Sequence, residues 1–207
     1  MVSNLGQYHE WDRLTSIIVG SALDSGNPPC EEECYDPTTL STVKKGICPN
    51  QDLLKQQIDS LVKTLELLNV KVCRPKNLPQ VDQIFTRDVG FVIQDVLVRS
   101  KMIEDRAKEW EGVKDMLQGV KTANPPNDVL IEGGDVLICG TKLYVGYSDE
   151  ATCSSFKTAR TNEKSLLWLQ KTFPDLQVIG VQLIKDDLDV TKNVLHLDCA
   201  FMPLGLG

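Results

Sequence analysis

Three aspartates, Asp88, Asp135 and Asp198, stand at comparable places along the chain, each at a short run of apolar residues. Glu132 and His196 lie within three residues of the second and third of them. Several carboxylates around one cavity repel one another unless a cation lies among them. A planar guanidinium suits bidentate carboxylates better than an ammonium does. The pattern therefore predicts an acidic pocket for a guanidinium-like ligand, with a titratable histidine beside it.

The spacing of these acids indicates an internal repeat. The three aspartates lie 47 and 63 residues apart, a length that suits one strand–strand–helix–strand unit. In a propeller of such units the first strand of each unit lines the central axis, so acids at equivalent positions converge on one pocket. The repeat predicts the fold class α/β, either a solenoid or an α/β-propeller built of ββαβ modules, with residues 1–207 as one domain.

Hydrophobic patterning predicts the elements of these units. Apolar residues recur at three- and four-residue steps, as in amphipathic helices, in the segments 50–68, 103–117 and 162–174. Asn50 is the predicted N-cap of the first of these helices. Paired apolar runs around turn residues predict β-hairpins at 91–98 and 136–145. Further strands are predicted at 14–20, 70–73, 177–183 and 194–198, and residues 21–50 are expected to form a long irregular loop.

Each polar residue of this pattern also has a purely structural interpretation. An aspartate at a strand end often caps a turn, and a lone histidine on an apolar strand is often a hydrogen-bonded core residue. A plain α/β domain of this kind would keep Asp88, Glu132 and His196 apart. The shared position of the acids within the repeat favours a common pocket, because independent turn residues have no reason to keep one phase.

Composition restricts the classes of binding partner and the cellular compartment that we expect for this protein. A net charge of −7, from 22 basic and 29 acidic residues, argues against binding to nucleic acid or to an anionic membrane surface. No stretch approaches the ~20 apolar residues of a membrane-spanning helix, and the N-terminus lacks a secretory-signal pattern, so a cytoplasmic protein is expected. Seven dispersed cysteines fit free thiols. Cys30, Cys34 and Cys48 do not match structural zinc spacing, so we expect no metal and no cofactor.

At the same residues the sequence resembles a known superfamily. Phe85–Asp88, Ile131–Asp135 and His196–Asp198 are similar, in this order, to the motif series of the guanidino-group-modifying enzymes, or penteins. That superfamily includes arginine deiminase, dimethylarginine dimethylaminohydrolase and glycine amidinotransferase. The stretches Glu10–Gly20 and His196–Leu204 resemble its amidinotransferase branch. The resemblance implies a propeller of five ββαβ modules around a pseudo-fivefold axis.

The resemblance also implies roles for the central residues. His196 matches the histidine that protonates the departing amine and then activates water. Glu132 matches the acid that holds the guanidinium and orients that histidine. Asp88 matches the carboxylate that grips the guanidinium nitrogens, and Asp198 shares this task.

Further positions match the substrate-binding residues of the superfamily. Arg106, 18 residues after Asp88, and Arg160, before the third predicted helix, are similar to arginines that bind the α-carboxylate of the substrate. Asp82 resembles a further acid in contact with substrate. Asp135 is counted with the substrate-binding residues, with a second interpretation in which it only braces the turn around Glu132.

The nucleophile of the superfamily is a cysteine thiolate near the C-terminus, which attacks the guanidinium carbon. None of the seven cysteines stands at its place in the motif series, and Cys139 and Cys199 are expected to be small buried apolar residues. We therefore expect an incomplete chain that lacks the closing C-terminal module. The nucleophile would follow Gly207, and the isolated chain would be inactive.

Three functions follow from this resemblance. The first is a hydrolase of C–N bonds in linear amidines, acting on arginine or an arginine derivative through a covalent amidino-cysteine intermediate. The second is an amidinotransferase that passes the amidino group to an amine. The third is a non-catalytic ligand-binding or interaction fragment of the same fold. The expected partner is a small guanidino molecule, and the resemblance is compatible with a homodimer.

Overall fold

A computed structural model describes residues 5–205 of the chain, and its strands form three small sheets. The strands are β1 (Ser16–Ile18), β2 (Lys71–Cys73), β3 (Gly90–Ile93), β4 (Val96–Arg99), β5 (Thr122–Ala123), β6 (Val136–Cys139), β7 (Lys142–Tyr147) and β8 (Gln177–Gln182). The α-helices are α1 (Pro37–Lys44), α2 (Gln51–Leu67), α3 (Thr86–Val89), α4 (Glu150–Ser155) and α5 (Lys164–Thr172). Within this range, no helix is long and apolar enough to cross a membrane.

The two larger sheets share one topology. In each, a hairpin of antiparallel strands is followed by a helical crossover to a parallel third strand, giving the orders β3-β4-β5 and β6-β7-β8. The described residues therefore contain two complete ββαβ units, as the repeat predicted. The first sheet pairs β1 and β2 in parallel. The chain between β1 and β2 contains the helices α1 and α2.

Local sequence accounts for the helix starts. Asn50 caps α2 by accepting a hydrogen bond from the Leu53 amide at 2.9 Å, as the sequence predicted. Asp36 caps α1 in the same way, through the amide of Thr39 at 2.8 Å, and Pro37 occupies the first helical position. The segment 21–50, expected to be irregular throughout, is therefore partly helical.

Two further predictions of secondary structure are wrong. The segment 103–117 forms two 3-10 segments, Glu104–Gly112 and Lys114–Leu117, in place of one amphipathic helix. Its chain is held at Gly112, whose carbonyl accepts from the Lys76 amide and whose Cα has no room for a side chain beside Gln83. The predicted strand at 194–198 is instead a loop that ends in a 3-10 turn, Leu197–Cys199.

The largest apolar cluster joins the two ββαβ units. It contains residues from β3, β4, β6, β7 and α5, and the side chains of Leu143 and Leu169 in it are fully buried. The N-terminal segment links the two hairpins from outside, because Gln7 bridges to Gln94 and Glu10 donates its amide to Ile138. Packing between the units thus fixes how their leading turns face each other.

Helix α5 offers a test of this packing. Leu169→Ala should lower the free energy of unfolding by about 2–5 kcal/mol, because it opens a cavity under the helix. The matched control is Leu167→Ala in the same helix, where the side chain is 68% exposed and the change should stay within about 0.5 kcal/mol. Urea unfolding measures both. Equal losses would contradict the assigned buried face of α5.

Candidate active site

Three turns bring polar side chains into one buried cluster. Asp88 lies in the single turn α3, Glu132 directly precedes the 3-10 turn Gly133–Asp135, and His196 directly precedes the turn Leu197–Cys199. Nε2 of His196 lies 3.0 Å from Oε2 of Glu132, and its Nδ1 lies 3.6 Å from Oδ1 of Asp88. These three residues, which the sequence singled out, therefore share one site.

A glycine between the motif residues makes this approach feasible. A Cβ atom at Gly134 would lie 2.7 Å from Cγ of His196 and 2.9 Å from Oδ1 of Asp88. The Gly134 amide also donates to that same oxygen at 3.2 Å. The Glu132-Gly133-Gly134-Asp135 segment thus lets imidazole and carboxylate pack directly on its backbone.

Both candidate arginines insert their guanidinium groups into this cluster. Nη1 of Arg106 donates to Asp88 at 2.8 Å and lies 3.4 Å from Glu132. Its Nε and Nη2 form a bidentate pair with Glu109 at 2.7 and 2.9 Å. Arg160 reaches the other side of Glu132, with its Nη1 at 3.3 Å from both carboxylate oxygens. We call the following six residues the Glu132 cluster: Asp88, Arg106, Glu109, Glu132, Arg160 and His196.

The cluster pairs buried acids with buried cations, and burial raises the pKa of one of these acids, Glu109, to about 7. The cluster combines three carboxylates with two guanidinium groups and one imidazole. Burial alone would raise the pKa of Glu132, but the hydrogen bond with His196 and the two arginines lower it to about 2. Burial alone would lower the pKa of His196, but Glu132 and the charges of Asp135 and Asp88 raise it. A protonated imidazole beside an ionised carboxylate is a suitable general acid.

The spacing of three cluster residues would also suit a metal ion. Ligand atoms of Asp88, Glu132 and His196 all lie within 4.8 Å of one another. Two of these groups already face the positive charges of Arg106 and Arg160, which supply the neutralisation that a metal would otherwise provide. A divalent cation at this position would also meet repulsion from both guanidinium groups. The geometry favours guanidinium over metal as the cation of the cluster.

The remaining predicted acids lie outside direct contact with the cluster. Oδ1 of Asp135 accepts a hydrogen bond from the Leu197 amide at 3.0 Å, and burial raises the pKa of Asp135 to about 6. The half-buried Asp198 pairs with Nε of Arg87 at 3.3 Å. Oδ1 of Asp82 accepts from the Ile84 amide at 3.1 Å. The three acids hold the backbone or another side chain in this structure.

Two groups that complete the site were not predicted from the sequence. Glu109 follows Arg106 by three residues, and this spacing on one helical face was the available signal. Tyr35 accepts from Nη2 of Arg160 through its carbonyl at 3.1 Å, and its ring centroid lies 5.3 Å from the guanidinium carbon. No local pattern in the loop 21–50 pointed to that tyrosine. Through Tyr35, the segment 21–50 covers one side of the Glu132 cluster.

The cysteines differ from expectation in their exposure. Cys199 is exposed and Cys139 is only partly buried, whereas both were expected to be buried apolar residues. The Cys199 thiol lies 3.7 Å from Oδ1 of Asp198, and partial desolvation together with the negative charges of Asp198 and Asp88 raises its pKa. The neighbouring helical turn ends the strand pattern that would have directed this side chain into the core. A thiol with a raised pKa is a poor nucleophile near neutral pH.

The raised pKa of His196 predicts a pH-dependent contribution to stability. The favourable interaction of the imidazolium with its acids is fully present below about pH 6.5, the ordinary value. It is lost as the pH rises through the higher pKa of the folded state. We expect the difference in unfolding free energy between wild type and His196→Gln to shrink over that rise, as measured by urea unfolding from pH 5 to 9. A constant difference would contradict a protonated His196.

Gly134 predicts a steric effect on the same histidine. Gly134→Ala should destabilise the fold by about 1–3 kcal/mol, because the added methyl group overlaps the His196 ring and the Asp88 carboxylate. The matched control is Gly6→Ala, where the nearest atom would be 3.9 Å away and the change should stay within about 0.5 kcal/mol. Chemical unfolding compares the two. A neutral Gly134→Ala would show that the ring is not packed on this backbone.

Comparison of the sequence with known proteins identifies a curated relative. No family model matches the chain. The uncharacterized protein YkgA of Bacillus subtilis (strain 168) is 34% identical over 149 residues, which cover 70% of this chain and 46% of that protein. The chain thus spans about half the length of this curated relative.

Two solved structures have the same architecture. The inosamine-phosphate amidinotransferase of Streptomyces griseus superposes with a TM-score of 0.66 at 17% identity, covering 91% of this chain and 66% of that one. The dimethylarginine dimethylaminohydrolase of Pseudomonas aeruginosa, solved with citrulline, superposes with a TM-score of 0.60 at 17% identity, covering 84% and 63%. This chain therefore has the fold of the guanidino-group-modifying enzymes, the pentein superfamily.

Proposed function

We propose that this chain supplies the guanidinium-binding site of an enzyme that acts on the guanidino group of arginine or an arginine derivative. One observation carries the proposal: the Glu132 cluster already holds a guanidinium group, that of Arg106, against Asp88 and Glu132. A site that binds one buried guanidinium through carboxylates has the donor and acceptor geometry to bind another. A dimethylarginine dimethylaminohydrolase of the same fold was solved in complex with citrulline, the ureido counterpart of arginine.

Charge balance decides how a substrate would enter. The carboxylates of the cluster already face two arginines and an imidazole whose pKa is raised, so an additional cation would find no free acid in this buried site. In the proposed complex the substrate guanidinium replaces that of Arg106 between Asp88 and Glu132. Arg106 then turns, with Arg160, toward the α-carboxylate of the substrate.

The peripheral acids take secondary roles in this proposal. Asp198, which is half-buried near Arg87, shares the guanidinium contact once that pair opens. Asp82 is a further acid in contact with the substrate. Asp135 supports the turn that carries Glu132 and the backbone after His196.

The proposed reaction is hydrolysis through a covalent intermediate. A cysteine thiolate attacks the central guanidinium carbon, the C–N bond to the leaving group breaks, and His196 transfers its proton to the departing ammonia or amine. Neutral His196 then takes a proton from water as that water attacks the amidino carbon. The C–S bond breaks, which releases the thiolate and a urea-type product. The reaction uses no cofactor and no metal.

The nucleophile in this proposal comes from outside the 207 residues. Among residues 5–205, no cysteine thiol forms a hydrogen bond to a member of the Glu132 cluster. We propose that the two ββαβ units seen here belong to a propeller closed by a further C-terminal module, which carries the cysteine. The isolated chain would then bind but not turn over. The proposed compartment is the cytoplasm, and the proposed assembly is a homodimer.

An amidinotransferase is the second candidate function. Two solved structures of this fold, with TM-scores of 0.66 and 0.63, are amidinotransferases. In that reaction an amine attacks the amidino-cysteine intermediate in place of water. A third candidate, a binding module without catalysis, keeps the Glu132 cluster and has no nucleophile in any longer chain.

Exchange of Arg106 gives a binding prediction. Arg106→Ala should bind agmatine about tenfold more tightly than the wild type, because the internal guanidinium no longer competes. It should lose any preference for arginine over agmatine, because the arginine that meets the carboxylate is gone. Isothermal titration calorimetry measures both ligands. Arg13→Ala, at an exposed position, is the matched control and should leave both affinities unchanged.

The outcomes of this titration separate the alternatives. Weaker binding of both ligands by Arg106→Ala would show that Arg106 is part of the site but does not occupy the guanidinium position. Absence of binding to the wild type and to every variant would overturn the proposed function itself.

The two catalytic candidates differ in their products. The complete protein, including any module that follows residue 207, should release ammonia or an amine from a guanidino substrate without an acceptor. Assays with and without glycine check this. Product formation that depends on glycine and yields guanidinoacetate would establish the transferase in place of the hydrolase.

A further inference from the structure

A buried lysine outside the Glu132 cluster holds the backbone that carries His196. Lys185 is 9% exposed, and its Nζ donates to the carbonyl oxygens of Val194 at 2.8 Å and Leu195 at 2.7 Å. It lies just after β8, at the base of a surface excursion that returns to the site at Val194. The Val194 amide in turn donates to the Ile184 carbonyl at 3.0 Å. The two ends of the excursion are therefore joined next to the histidine.

The residue after His196 is held from the opposite side. Oδ1 of Asp135 accepts from the Leu197 amide at 3.0 Å, and Asp135 is fully enclosed. The charges of Asp135 and Lys185 stabilise each other across this segment. One buried cation thus holds the two carbonyls before His196, and one buried acid holds the amide after it.

We propose that Lys185 is a positioning residue for His196 in the proposed reaction. It fixes the backbone at residues 194 and 195 so that the imidazole stays between Glu132 and Asp88. It does not contact the substrate. The inference rests on the proposed function only for the catalytic role of His196. The positioning of the imidazole is a property of the chain without ligand.

The free-energy cost of burying a lysine supports a specific role for Lys185. Moving an ammonium group out of water costs several kcal/mol unless hydrogen bonds and an opposite charge offset the loss, and burial lowers the pKa of Lys185. An apolar side chain would fill the same space with a smaller desolvation cost. What only the ammonium supplies is a pair of strong donors to two consecutive carbonyls. Those carbonyls lie in a segment without the strand pairing that the sequence predicted.

The protonation of His196 gives a readout that distinguishes positioning from simple charge. Acids face the imidazole from each element packed on it: Asp88 from α3, Glu132 and Asp135 from the 133–135 turn, and Asp198 from its own turn. Arg106 and Arg160 lie behind Glu132, and Lys185 lies near Asp135. Removing a nearby positive charge alone would raise the pKa of His196. Releasing the ring from its acids would lower it toward 6.5.

The test is an NMR titration of the ligand-free chain, which has only two histidines, so His9 serves as the internal reference. In Lys185→Met we expect the apparent pKa of His196 to fall by at least about half a unit. Lys192→Met is the matched control. It lies in the same excursion and pairs with Asp189 at 3.2 Å at the surface, and it should leave the His196 titration unchanged. An unchanged or raised pKa in a folded Lys185→Met variant would overturn the proposal.

Two further measurements keep the test decisive if Lys185→Met does not fold. Lys185→Gln keeps a shorter donor and should give a smaller fall in the His196 pKa, whereas no fall would contradict the positioning role. In the wild type, a lysine ammonium signal protected from solvent exchange should be visible by ¹⁵N NMR, and its absence would contradict the two short hydrogen bonds. Since neither needs a guanidino ligand, failure of the proposed function leaves these results interpretable.

Discussion

The buried carboxylate of Glu132 is the group on which the site depends. It is fully enclosed and receives Arg106, Arg160 and His196 on its two oxygens. An ionised carboxylate in such a place is stable only with partners of opposite charge, and loss of one partner leaves an expensive uncompensated charge. Each partner comes from a different part of the chain. The fold is therefore constrained to deliver three distant segments to one point.

The repeated ββαβ architecture meets this constraint. Asp88 and Asp135 stand at the turns that lead into the first strands, β3 and β6, of two equivalent units. Packing between the units brings these turns together. Their acids then diverge in role: Asp88 faces Arg106 and the imidazole, while Asp135 faces the backbone after His196. Similar positions in a repeat thus supply one binding group and one supporting group.

Sequence patterns predicted those parts of the molecule that depend on local periodicity or on motif phase. The two hairpins, helix α2 with its Asn50 cap and the shared location of Asp88, Glu132 and His196 are of this kind. The sequence patterns did not predict the orientation of long side chains. Both candidate arginines are predicted to bind the carboxylate of a ligand, and this role stays a prediction. In the chain without ligand their guanidinium groups contact internal acids, and the sequence did not indicate these contacts. Nothing local fixes the direction of a long flexible side chain.

Tertiary contacts decided the remaining differences. The segment 103–117 has helical periodicity, yet the contact of Gly112 with Lys76 and Gln83 tightens it into 3-10 turns. The segment 194–198 has the apolar pattern of a strand, yet Lys185 and Asp135 engage its carbonyls and an amide. Lys76, Gln83 and Asp135 are distant in sequence from the groups that they contact, so a local pattern does not contain the signal. Lys185 lies only nine residues before Val194, but the direction of its side chain depends on tertiary packing.

The most direct measurement of the central claim is a crystal structure of the chain soaked with arginine. We predict density for the ligand guanidinium between Asp88 and Glu132, with the Arg106 side chain moved away from Asp88. A structure in which Arg106 keeps its contacts with Asp88 and Glu109 while arginine lies elsewhere, at saturating concentration, would contradict a guanidinium-binding role for this cluster.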